Sequence, residues 1–122
     1  MKCKTIVAIL GIVCCAITGC DSAREAPLTL TFRHGVLSDA VLQVHNLSNQ
    51  EGVEFYVYVS DGVNSAESPR FVVSPNSEKE IGRLEFDWKF KAGDEGFVHP
   101  VKYDRKLYFK LFPNGKYRTR VK

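Results

Sequence analysis

Val53-Glu54-Phe55-Tyr56-Val57-Tyr58-Val59 decides the fold. Successive side chains of an extended chain point to opposite faces, so Val53, Phe55, Val57 and Val59 share one side and Tyr56 and Tyr58 take the other. Both faces are apolar, which places this strand centrally. The same period of two recurs in both directions. Leu28, Leu30 and Phe32 alternate with Thr29, Thr31 and Arg33, and His34-Gly35 ends that run. Residues 41–47 form a second run, closed by the polar stretch 48–52. Residues 71–73 lie between Pro69 and Pro75, which suits a sheet edge. The strictest alternation is Leu84, Phe86, Trp88 and Phe90 against Glu85, Asp87, Lys89 and Lys91, which predicts a half-buried strand turned by Ala92-Gly93-Asp94. Residues 97–101, 107–112 and 116–121 supply three more strands. Seven or eight short strands separated by turn residues, with no helical period and no internal repeat, predict one all-β domain folded as an antiparallel β-sandwich.

The N-terminal segment has a different character. Lys2 and Lys4 precede an apolar run over residues 6–16, too short for a membrane-spanning helix. The run closes on Ile17-Thr18-Gly19-Cys20, which resembles the lipobox of bacterial lipoproteins. The resemblance implies removal of residues 1–19, acylation of Cys20 and a tether over residues 20–27 ahead of a domain at 28–122. Two or three acyl chains hold a small protein on a bilayer at ~0.8 kcal/mol per buried methylene. Of the four cysteines, Cys3, Cys14 and Cys15 leave with the signal and Cys20 becomes a thioether. No thiol nucleophile, disulfide or thiolate metal site then remains. Asp21 resembles the signal that retains lipoproteins in the inner membrane facing the periplasm, with the outer membrane as the alternative.

Within the domain, residues 41–48, 53–59 and 79–82, followed by Ala92-Gly93-Asp94, resemble the small Ig-like domains of bacterial lipoproteins, including the FxLYD type. There an Asn-x-Ser bend, here Asn46-Leu47-Ser48, joins two strands and a Pro-Gly-Asp-like turn follows a later one. This chain has Ala92 in place of the proline. The resemblance implies an Ig-like sandwich with binding or scaffolding roles and no catalytic residues.

Charge is segregated along the chain. The formal net charge is +3, but residues 51–100 carry ten acidic and five basic side chains, whereas residues 101–122 carry eight basic and one acidic. The turn chemistry of Phe112-Pro113-Asn114-Gly115-Lys116 arranges the basic end. A three-residue loop of Pro113, Asn114 and Gly115 pairs Leu111 with Tyr117, Phe109 with Thr119 and Leu107 with Val121, placing apolar residues on one face. The outer face then carries Lys106, Lys110, Lys116, Arg118, Arg120 and Lys122 interleaved with Tyr108 and Phe112. Such a stripe either protects an edge strand or binds anions, with phospholipid headgroups the nearest at ~1 kcal/mol per basic residue.

Other constellations point away from chemistry. His34, His45 and His99 have no second ligand at metal-binding spacing. Glu85 and Asp87 share a strand face, but alternation with core residues makes that face a solvated one rather than a glycosidase pair. Trp88 shares phase with core residues, while Tyr56, Tyr58, Tyr103 and Tyr108 are candidates for a ligand surface. The expectation is a non-catalytic, membrane-anchored module that binds or braces an envelope protein or anionic headgroups, without a cofactor and without nucleic acid. The alternative is a small envelope inhibitor or glycan-binding lipoprotein that presents residues 62–67.

Overall fold

The computed structural model describes residues 25–34 and 39–122. The expected signal segment, Cys20, Asp21, the first part of the tether and Gly35 lie outside the described residues. Nine strands form two antiparallel sheets among the described residues. The smaller sheet has the order β1-β2-β6, with β1 at Leu28–His34, β2 at Ala40–Asn46 and β6 at Glu78–Ile81. The larger contains β3 (Val53–Ser60), β4 (Ser65–Glu67), β5 (Phe71–Val73), β7 (Glu95–Pro100), β8 (Leu107–Leu111) and β9 (Tyr117–Val121). Its order is β4-β3-β7-β8-β9, and β5 pairs with the part of β3 that β4 leaves open. The chain is an all-β sandwich.

One continuous core lies between the sheets. Leu28, Leu30, Leu42, Val44 and Ile81 come from the small sheet and Phe55, Val57, Val59, Val98, Leu107, Phe109 and Leu111 from the large one. Burying each such side chain is worth ~1.5–3 kcal/mol. β3 holds the central position its two apolar faces require, with β7 on one side and β4 and β5 on the other. Between those two short strands Ser68 fills the gap. Its Oγ accepts the Val57 N–H at 2.8 Å, and its own N–H donates to the Val57 carbonyl at 2.8 Å. Central-strand groups are thereby satisfied where the ladder is interrupted.

The polar residues of the bends are structural. Asn46 is buried, and its Nδ2 donates to the carbonyls of Glu51, Val73 and Ser74 while Oδ1 accepts the Ser48 N–H. The Asn-x-Ser bend thus ties β2 to the end of β5. Asp94 is fully buried and accepts the Trp88 indole N–H at 3.0 Å and the Lys91 backbone N–H at 2.9 Å. The turn before it uses Gly93 at φ +95°, a conformation open to glycine.

The strand expected over residues 84–90 does not form. A single helical turn, α1 (Arg83–Phe86), stands there instead. Glu85 Oε1 accepts the Gly82 N–H at 2.7 Å, and Asp87 closes the turn at φ 57° with its N–H on the Arg83 carbonyl. The turn throws Leu84 into solvent at 97% exposure and sends Phe86 into the core, where Phe90 joins it from beyond the Asp87 cap, bridged to Ala40. Glu85 is occupied by the cap and shares no strand face with Asp87. The third place in the small sheet goes to β6, whose Glu78-Lys79-Glu80 is too charged to announce a strand. Among the described residues no helix is long and apolar enough to cross a membrane.

Candidate functional site

The two outer faces of the sandwich differ in how their charges are matched. On the small sheet, Arg33 grips Glu80 through two nitrogens at 2.6 and 2.8 Å. Gln43 donates to Glu78 and Glu80, and Thr31 bonds both Gln43 and His45. The Arg33 guanidinium, with help from Gln43, holds the Glu80 carboxyl below the usual carboxylate range. That face satisfies itself.

The large sheet's outer face does not. The hairpin register follows the three-residue loop, with Leu111 opposite Tyr117, Phe109 opposite Thr119 and Leu107 opposite Val121. Asn114 and Gly115 take φ 68° and 74° to close the loop, and the Phe112 N–H donates to the Lys116 carbonyl at 2.8 Å. Tyr108 therefore faces Arg120, and Lys110 faces Arg118. Alternation places Lys106, Lys116 and Lys122 on the same side. Among the described residues the carboxylate in ion-pair contact with this array is Glu95, 3.5 Å from Lys110, and Asp61 lines the same groove. Among the described residues Lys106, Arg118, Arg120 and Lys122 have no carboxylate within ion-pair distance.

An aromatic floor supports the cations. Tyr58 stacks on Phe97 at 5.2 Å, Phe97 meets Tyr108 at 5.5 Å, and Tyr56 stacks on His99 at 5.2 Å with the ring planes 9° apart. Lys106 lies 4.5 Å over Phe97, Lys122 lies 5.8 Å over Tyr108, and Lys110 and Arg118 flank Phe112 at 5.7 and 5.5 Å. Attraction to the ring faces steadies each cation by ~0.5–1 kcal/mol at an exposed site. It also offsets the repulsion between Lys110 and Arg118. An open groove of about 710 Å³ runs along this face past Tyr58, Glu95, Phe97, Tyr108, Lys110 and Arg120.

Seven residues singled out from the sequence, Lys106, Tyr108, Lys110, Lys116, Arg118, Arg120 and Lys122, lie on or beside this one surface. Its extension across β3 and β7, through Tyr56, Tyr58, Phe97 and His99, was not assembled from the sequence. The signal was there in the alternation of Phe97 and His99 with buried Val98 and Pro100, but only the pairing of β7 between β3 and β8 joins the rows. Tight packing underlies that junction, since a Cβ on Gly96 would run into the Tyr58 carbonyl.

His99 is the exceptional titrating group of the face. Burial, reinforced by Lys106 and Arg70, pushes its pKa below the ordinary histidine value, so the ring is neutral at pH 7. His45 is engaged with Thr31 on the opposite sheet, and no group of metal-ligating side chains forms among the described residues. Residues 62–67 carry no aromatic side chain. Their exposed tip is Val63, held by the Asp61 carboxylate, which accepts the N–H groups of Val63 and Asn64. Those two bonds, with Lys91, hold the Asp61 carboxyl below the usual range.

Fold and face together define a β-sandwich with an unmatched cationic surface over aromatic rings. Comparison with protein-family models, with curated proteins and with solved structures found no match to this chain.

Proposed function

We propose that the chain is a non-catalytic binding module of the bacterial cell envelope, an Ig-like domain anchored through Cys20 that engages an anionic partner. The observation that carries the binding role is the set of cations on β8 and β9 with aromatic support, of which only Lys110 has an ion-paired carboxylate among the described residues. The sheet order favours the Ig-like plan, since β1-β2-β6 and β4-β3-β7-β8 follow the A-B-E and C′-C-F-G orders of such sandwiches. The envelope setting rests on Ile17-Thr18-Gly19-Cys20 and on the small Ig-like lipoprotein domains that the chain resembles, with Asp21 favouring the inner membrane.

Two experiments test the two halves. Intact-mass analysis of the membrane-bound protein is expected to show a chain beginning at Cys20 plus lipid, with Cys20→Ser blocking the modification. A mature N-terminus elsewhere, with Cys20 unmodified, defeats the anchoring half. A soluble form beginning at residue 25 keeps all nine strands and serves for the second. It is expected to bind anionic vesicles at low salt, to lose most of that binding near 0.15 M, where exposed charges are screened over ~8 Å, and to lose it at all salts when Lys110, Arg118 and Arg120 become Glu. Indifference to every anionic surface at low salt defeats the binding half.

A further inference from the structure

The face just described ends at a strand with an unpaired side. Among the described residues β9 is the last strand of its sheet and pairs only with β8. Lys106 and Lys122 exchange both backbone bonds, at 3.1 and 2.9 Å, and Phe112 bonds Lys116 at the loop. Antiparallel ladders alternate, so residues 116, 118, 120 and 122 direct their backbone groups to β8. Tyr117, Thr119 and Val121 direct theirs outward, an unpaired row of donors and acceptors among the described residues. Every side chain of β9 is exposed, including Tyr117 at 37% and Val121 at 39% on the row that continues the core face. The strand thus presents a backbone edge, an apolar row and a cationic row together.

We propose that this edge receives an extended segment of another protein, with acidic residues alternating with apolar ones, as an added strand of the large sheet. Charge complementarity selects the occupant. Acidic side chains of the added strand would stand beside Arg118 and Arg120, and apolar ones beside Tyr117 and Val121. A second copy is opposed by the same charges, because antiparallel pairing of two β9 edges around Thr119 sets Arg118 of each chain against Arg120 of the other. This inference is independent of the anchor and of vesicle binding, and its test is carried out in neutral detergent micelles without anionic lipid.

The probe is a labelled, end-capped nonapeptide of alternating Glu and Val, titrated against the full chain and followed by anisotropy. The peptide is expected to bind, and Thr119→Pro to weaken it at least ~10-fold. That substitution removes an N–H from the outer side of an edge strand and leaves the ladder to β8 intact. Two modified peptides test the backbone on the unaltered protein. N-methylation at the Val positions and at the Glu positions blocks opposite sides of the peptide, so one version is expected to lose binding and the other to keep it. Equal binding of both versions, or indifference to Thr119→Pro, reduces the contact to charge attraction and overturns the proposal. So does the absence of binding, or a concentration-dependent dimer that Thr119→Pro dissolves.

Discussion

The large sheet ends differently on its two sides. On one side the edge of β3 is covered by two three-residue strands, β4 and β5, parted by Ser68-Pro69-Arg70, with Ser68 stitched to Val57. On the other, β9 runs five residues without interruption and is covered by nothing among the described residues. Shortness, proline and a plugged gap close the first edge to further strands. The second is guarded by cations alone, which repel a like strand and attract an acidic one. A charge-guarded edge is selective where a broken edge is closed.

The two edges differ in what they contribute to stability. Phe55 is fully buried under the interrupted edge and packs against Phe71 at 5.8 Å. Phe55→Ala is expected to cost ~3–5 kcal/mol in denaturant unfolding. Ser68→Ala strands the Val57 N–H in the core and is expected to cost ~1–3 kcal/mol. On the other side Tyr117→Ala removes an exposed ring that touches Phe32 at 5.5 Å and is expected to cost under ~1 kcal/mol. A β9 substitution as costly as Phe55→Ala would put β9 inside the core and remove the distinction.

Much of that asymmetry was legible in the sequence. The hairpin register followed from the buried face, because a three-residue loop sets Tyr117, Thr119 and Val121 opposite Leu111, Phe109 and Leu107, whereas a two-residue Asn-Gly turn would set Arg118 and Arg120 opposite core residues. The central place of β3 followed from its two apolar faces. Residues 84–90 misled because alternation over a few residues does not exclude a capped helical turn. The signal for that turn was Gly82 followed three residues later by Glu85, the pair that forms the cap. Charged β6 and three-residue β4 carry too little apolar pattern to be seen alone. The site was legible only in its β8–β9 half, since its other rows come from strands distant in sequence.

Reversing Lys110, Arg118 and Arg120 to Glu removes the ring contacts on Phe112 and the Glu95 ion pair and keeps a like-charge pair across the hairpin. It is expected to cost about 1–2 kcal/mol of unfolding stability, with the fold kept and anion binding lost. Acidification distinguishes the two outer faces. His99 has a lowered pKa in the fold, so the unfolded chain takes up its proton first, and stability falls as pH drops below about 6.5. His99→Gln is expected to flatten that limb. Glu80 and Asp61 are likewise lowered, so their contribution is present above ordinary carboxylate pKa values and is lost as pH falls further.

Residue-resolved amide exchange on the full chain in neutral micelles tests the open edge most directly. An open edge predicts alternation along β9, with Tyr117, Thr119 and Val121 exchanging fast while Arg118 and Arg120, bonded to β8, exchange at least ~10-fold more slowly. Uniform protection of all five amides would contradict it, because the edge would already be covered.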